Sequence, residues 1–118
     1  MSSVRNDYVI VGYDFTPYKD ELYGEDWAEN PENEEHWCHH EKGNIQMFDD
    51  PMSGDCLYFG YIIAANDEYN SDTTAITLAE LMRQKPFIDS KLNNMGWNIS
   101  DSLLESTKYQ VISFSEYR

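Results

Sequence analysis

Cys56-Leu57-Tyr58-Phe59-Gly60-Tyr61-Ile62-Ile63-Ala64-Ala65 is the stretch whose reading decides the fold. It carries no charge, is rich in aromatic and β-branched residues, and lies between Gly54-Asp55 and Asn66-Asp67. A short apolar run bounded by turn residues reads as a central strand covered on both faces. A buried helix is the competing reading. Gly60 in mid-run and the lack of polar residues at helical spacing weigh against it.

Upstream, residues 43–48 read as the start of a second strand. Asp49-Asp50-Pro51-Met52-Ser53-Gly54-Asp55 is a turn signal, with Pro and Gly at turn positions and Asp beside them to bond the local backbone. The two strands then form an antiparallel hairpin with a longer loop. Residues 7–15 alternate as a first strand, with Val9, Val11, Tyr13 and Phe15 on one side and Tyr8, Ile10 and Gly12 on the other. Thr16-Pro17 ends it, because Pro removes the next ladder donor.

Downstream, residues 66–72 are a polar connection. Thr77-Leu78-Ala79-Glu80 matches a capping box, with Ile76 and Leu81 placed as its hydrophobic staple. A short helix is predicted over about 78–84. Pro86 then kinks it or begins a second one. Phe87, Ile88, Leu92 and Met95 keep helical spacing, and Gly96 is a suitable terminator. Residues 100–105 add a further turn, and 109–114 return to period two as a closing strand. The predicted fold is a single α+β domain over residues 1–118. It has a mainly antiparallel sheet in β-β-β-α-β order, helices on one face, and an acidic insert over about 17–42 after the first strand.

A chain of 118 residues buries roughly two thirds of its unfolded surface and needs no disulfide or metal to fold. Its 41% apolar and 14% aromatic content argues against disorder despite the charge. The formal net charge is −14. Residues 1–72 hold 17 acids against three bases, and residues 73–118 hold five of each, so the whole excess lies in the first 72 residues. Such a chain is repelled by nucleic acid and anionic membranes and attracted to basic surfaces. Cys38 and Cys56 form no Cys-x-x-Cys pair, the opening residues do not read as a secretory signal, and no apolar run approaches the ~20 residues of a membrane span. A reduced, cytoplasmic setting is expected.

The charge concentrates in residues 20–35. Eight of these 16 residues are acidic (Asp20, Glu21, Glu25, Asp26, Glu29, Glu32, Glu34 and Glu35) and none is basic. Like charges three or four apart weaken a helix, and Gly24 and Pro31 interrupt one. The expectation is an irregular segment with one short helix after Asn30. Asn30 is a good N-cap and Pro31 a good first helical residue. Leu22, Tyr23, Trp27 and Trp37 are placed to fasten the segment to the body.

The densest set of ligand-type side chains is His36, Cys38, His39 and His40. On a helix His36 and His40 would share a face, as zinc-binding pairs do, but Cys38 would point elsewhere. A helix C-terminus that favours imidazolium is the preferred explanation of the cluster, and no metal site is predicted. Asp49 and Asp50, with Asp55, Asp67, Glu68 and Asp72, flank the central strand and could hold Mg²⁺, or simply serve turns. No phosphate loop, nucleophile elbow or dinucleotide fingerprint is present, so no cofactor and no catalytic residue is predicted.

Small, very acidic and without a catalytic motif, the chain resembles in composition and charge layout the small acidic proteins that bacteriophages encode to block host factors, and the strand–turn–strand wording of residues 43–61, with Asp50-Pro51-Met52-Ser53-Gly54, resembles uncharacterised bacteriophage reading frames. The resemblance is one of type and covers composition and charge layout. It implies a non-enzymatic inhibitor acting in the host cytoplasm on a basic, nucleic-acid-binding host protein, in some cases as a DNA mimic. Nucleic acid itself and membranes are not expected partners. The partner-binding residues would be the eight carboxylates of residues 20–35 with Tyr23, Trp27 and Trp37 as aromatic anchors. Two other classes compete. One is a small metal-dependent enzyme or metal-binding domain using His36, Cys38 and His40, or Asp49 and Asp50. The other is an assembly protein whose free sheet edge or aromatic face forms an oligomer.

Overall fold

The computed structural model describes residues 5–49, 56–67 and 75–117. The decisive run is a strand, β3 (Leu57–Asp67), which starts one residue later and ends two residues later than the apolar run. It lies inside a four-stranded antiparallel sheet, flanked by β2 (Ile45–Asp49) and β1 (Arg5–Asp14), with β4 (Gln110–Tyr117) on the far side of β1. The fold is therefore α+β with an antiparallel sheet, as the sequence predicts.

The alternation read in β1 holds. Val11, Tyr13 and Phe15 enter the larger core with Leu57, Phe59 and Ile63, while Tyr8 and Ile10 join Phe48 and Ile62 on the opposite face. Between Val9 and Ile10 the register slips, so that these neighbours face Ala64 and Ile62 and Ile63 is the extra residue of a β-bulge. The helices cover the larger core only. α3 (Leu78–Asn94) buries Leu81, Ile88 and Leu92 there, and Leu103 and Leu104 of α4 (Asp101–Ser106) pack beside them.

Local capping behaves as the residue types dictate. The Thr77 side chain accepts from the Glu80 N–H, and the Ser100 side chain accepts from the Leu103 N–H. Gly96 follows the end of α3 at φ +84°, where a side chain would be strained. Several sequence expectations need correction, and the first strand spans Arg5–Asp14 rather than 7–15. Residues 43 and 44 precede β2, and Gly43 sits in a turn at φ +93°. The closing strand runs to Tyr117 rather than 114. α3 runs through Pro86 as one helix, past the predicted end at 84, so no second helix begins there. Pro86 and Met82, whose carbonyl loses its helical partner, both lie on the exposed face, where water can take the place of the missing N–H. The predicted turn at 50–55, with Asp50 in it, and Glu68 and Asp72 fall outside the described residues.

α3 crosses the sheet diagonally. Its first turns lie against Tyr109 and Val111 at the β4 edge, and Lys91 near its end donates to the Ile45 carbonyl of β2 (2.6 Å).

Candidate functional site

The acidic segment lies along the β2 edge and the end of α3. It is more regular than its charge suggests. A 3₁₀ turn (Thr16–Tyr18) leads into α1 (Lys19–Leu22), then α2 (Glu25–Glu29), then a 3₁₀ helix (Pro31–His36). The breaks fall at Gly24 and before Pro31. As expected, Asn30 caps the last piece, its side chain accepting from the Glu32 N–H (3.0 Å). Each helix is short, so no carboxylate faces more than about one turn of like charge.

Three aromatic rings and two glutamine bonds hold the segment in place. Tyr23 stacks on Trp97 (5.0 Å between centroids, 19°), and Trp27 meets Trp97 edge-on (5.5 Å). The Trp27 indole donates to the Met95 carbonyl, and Leu22 is fully buried. The Leu22 carbonyl accepts from the Asn98 N–H (2.9 Å). Buried Gln46 donates to the Glu35 carbonyl (2.6 Å) and accepts from the His39 N–H (3.0 Å), so it clamps the segment to β2 from two sides. Trp97, Gln46 and Lys91 are absent from the sequence reading. Each acts through a partner more than six residues away, and nothing local in the sequence marks them.

Tyr23 and Trp27 are therefore struts of the segment, half-buried against the body. Trp37 is the exception among the four fastening residues expected: it belongs to neither core and is 39% exposed. All eight carboxylates, Asp20, Glu21, Glu25, Asp26, Glu29, Glu32, Glu34 and Glu35, are exposed. Among the described residues, none of the eight forms an ion pair with a lysine or arginine. Glu35 alone approaches a histidine, His36 Nε2 at 3.6 Å. Elsewhere the cations are matched. Lys19 pairs with Asp49, Arg83 with Glu80, and Lys85 with Asp89. Asp89 also accepts from the Tyr13 hydroxyl (2.6 Å), and burial, reinforced by Asp89, pushes the Tyr13 hydroxyl up to about 12.

The histidines do not share a face, because the 3₁₀ helix stops at His36 and the chain turns through Trp37 and Cys38. His36 is buried, its ring stacked on Trp27 (6.1 Å, 21°) over the larger core. His40 stacks on Phe48 (4.0 Å, 25°) in the cluster on the opposite face of the sheet. His40 Nε2 donates to the Met47 carbonyl (3.0 Å), which makes Nε2 the protonated nitrogen. Cys38 is half-buried. Asp49 is engaged by Lys19 and by the Tyr23 hydroxyl (2.8 Å). Among the described residues no three His, Cys, Asp or Glu side chains converge as a metal site would need.

Burial holds His36 below its ordinary value of 6.5, nearby Lys91 lowers it further, and Glu35 opposes both. Lys91 is itself lowered by burial, against the pull of Glu35. No helix of the described residues is long and apolar enough to cross a membrane. No known protein family, curated protein or solved structure matches the chain.

Proposed function

We propose that this chain is a non-enzymatic acidic binder whose segment 20–35 docks on the basic, nucleic-acid-binding surface of a partner protein, where it excludes nucleic acid in the manner of a DNA mimic. A bacteriophage inhibitor of a host factor is the setting this reading fits. The observation that carries it is the state of the carboxylates. Eight are exposed on one segment, none forms an ion pair with a lysine or arginine among the described residues, and only Glu35 feels a nearby cation, Lys91. Uncompensated charges project their field into solvent and raise the encounter rate with a cationic surface. A segment already held by Leu22, Tyr23, Trp27 and Gln46 loses little conformational entropy on docking. Trp37, exposed just past the carboxylates, is the aromatic anchor open to a partner.

The test is capture from a bacterial lysate by the chain and by a variant carrying Glu25→Gln, Asp26→Asn, Glu29→Gln and Glu32→Gln. The expected result is a nucleic-acid-binding protein retained by the parent chain, lost by the variant, and released by competing duplex DNA. Equal retention by both chains, or a captured protein that ignores DNA, overturns the reading.

A further inference from the structure

The two edges of the sheet are treated differently. At the β2 edge two outward carbonyls are already occupied: Ile45 accepts from Lys91 Nζ and Met47 from His40 Nε2. Gln46 adds the backbone of the acidic segment across the same strand. Side-chain caps of this kind stop an edge from pairing with another chain. Between Gln110 and Ser115 of β4 no such side-chain cap on a carbonyl is found among the described residues. From Gln110 to Ser115 the strand carries no charge and no proline, the two devices that usually blunt an edge; its charged residue, Glu116, lies near the end of β4. Beside it runs an apolar groove lined by Val11, Leu78, Leu81, Met82, Tyr109 and Val111. Three of these are exposed to an extent unusual for their type, Leu78 at 80%, Met82 at 59% and Val111 at 54%.

We propose that β4 is the pairing edge of a homodimer, in which two copies join β4 to β4 antiparallel about a two-fold axis and bury the Leu78–Met82–Val111 strip. The charge layout selects a second copy as the occupant. The acidic segment sits at the β2 edge, and residues 73–118, which supply β4 and its flanking helix, carry five acids and five bases. Pairing through β4 gives one eight-stranded sheet with the two β2 strands at its outer ends. Seven strand spacings separate them, roughly 34 Å at about 4.8 Å each. That is several times the ~8 Å screening length at physiological salt. This arrangement puts the two acidic segments, residues 20–35 of each copy, at opposite ends of the sheet. An antiparallel pair of identical strands is also self-complementary, as a two-fold interface requires.

Sedimentation velocity from about 10 μM to about 1 mM protein tests it. The expected result is a monomer–dimer equilibrium that tightens as salt rises from about 50 to about 500 mM, because screening relieves repulsion between the copies. That is opposite in sign to the salt response expected for docking on a basic partner, so the two ideas fail separately. Val111→Lys should weaken the dimer about 100-fold by setting like charges into the interface. Met82→Glu, on the exposed face of α3, should do the same and carries the test if Val111→Lys does not fold. Phe87→Lys is the control: Phe87 is 60% exposed on the same helix and lies outside the groove. Backbone amides within 110–115 should gain hydrogen-exchange protection with concentration. A monomer at about 1 mM and about 500 mM salt overturns the proposal. So does a dimer that Phe87→Lys disrupts as much as Val111→Lys.

Discussion

The indole of Trp27 donates to the main-chain carbonyl of Met95, 68 residues away, and this bond ties the acidic segment to the end of α3. Trp27→Phe keeps a ring beside Tyr23 and Trp97 and loses only the hydrogen bond, so it should cost about 1 kcal/mol. Trp27→Ala also removes the ring and should cost about 3 kcal/mol. Urea unfolding of the two variants gives both figures. A Phe variant as unstable as the Ala variant would mean the carbonyl, rather than the ring, holds the segment.

Trp37 should behave in the opposite way. Exposed and outside both cores, Trp37→Ala should leave the unfolding midpoint within about 0.5 kcal/mol of the parent. It should instead speed dissociation from a bound partner by an amount on the order of 2 kcal/mol. Dissociation rates on a sensor surface measure this once a partner is captured. An unchanged rate would place the anchor elsewhere.

Stability should fall with acid through His36. Its pKa is lowered in the fold, so between that value and 6.5 the unfolded chain binds a proton that the folded chain does not. Unfolding free energy therefore rises with pH through this window, and the contribution is absent above it. His36→Phe keeps a ring against Trp27 and cannot titrate. Its stability should exceed that of the parent increasingly as pH drops below about 6.5, and the gap should level off above about 7. Parallel curves for the two proteins at all pH values would show that His36 does not carry the effect.

Gly12 and Gly60 face each other across β1 and β3. A Cβ on Gly60 would lie 2.3 Å from the Val11 carbonyl oxygen, and one on Gly12 would lie 2.1 Å from that of Phe59. Both obstacles are backbone atoms of the central strands, so Gly60→Ala should cost about 3 kcal/mol. Gly24→Ala, where nothing lies within 4 Å, should be close to neutral. Thermal unfolding compares them directly.

A strong chelator should leave the melting temperature unchanged, since His36 and His40 stack on opposite faces of the sheet. A drop on chelation, abolished in a His36→Phe, His40→Phe double variant, would restore a metal role.

Much of this fold is written locally. The Thr77–Glu80 and Asn30–Glu32 caps close over two or three residues, and the two sides of β1 follow from alternation alone, so both are legible without tertiary information. The location of the charge excess is likewise a property of order in the chain. What the sequence by itself does not determine is where non-local partners fall. Pro86 continues its helix where it and Met82 both lie on the exposed face, and that depends on which side of α3 meets the sheet. His36 and His40, four residues apart, diverge because the 3₁₀ helix ends between them and each finds a different ring, Trp27 or Phe48. The carboxylates of 20–35 form no ion pair with a lysine or arginine among the described residues, because Lys19 and Lys85 pair with Asp49 and Asp89, and Lys91, close enough to act on Glu35, is bonded to the Ile45 carbonyl. The same Lys91 that closes the β2 edge lies 46 residues from the carbonyl it caps. Contacts between residues near in sequence are fixed by their spacing. Contacts between distant ones are fixed by the packing of α3 across the sheet, which only the folded chain decides.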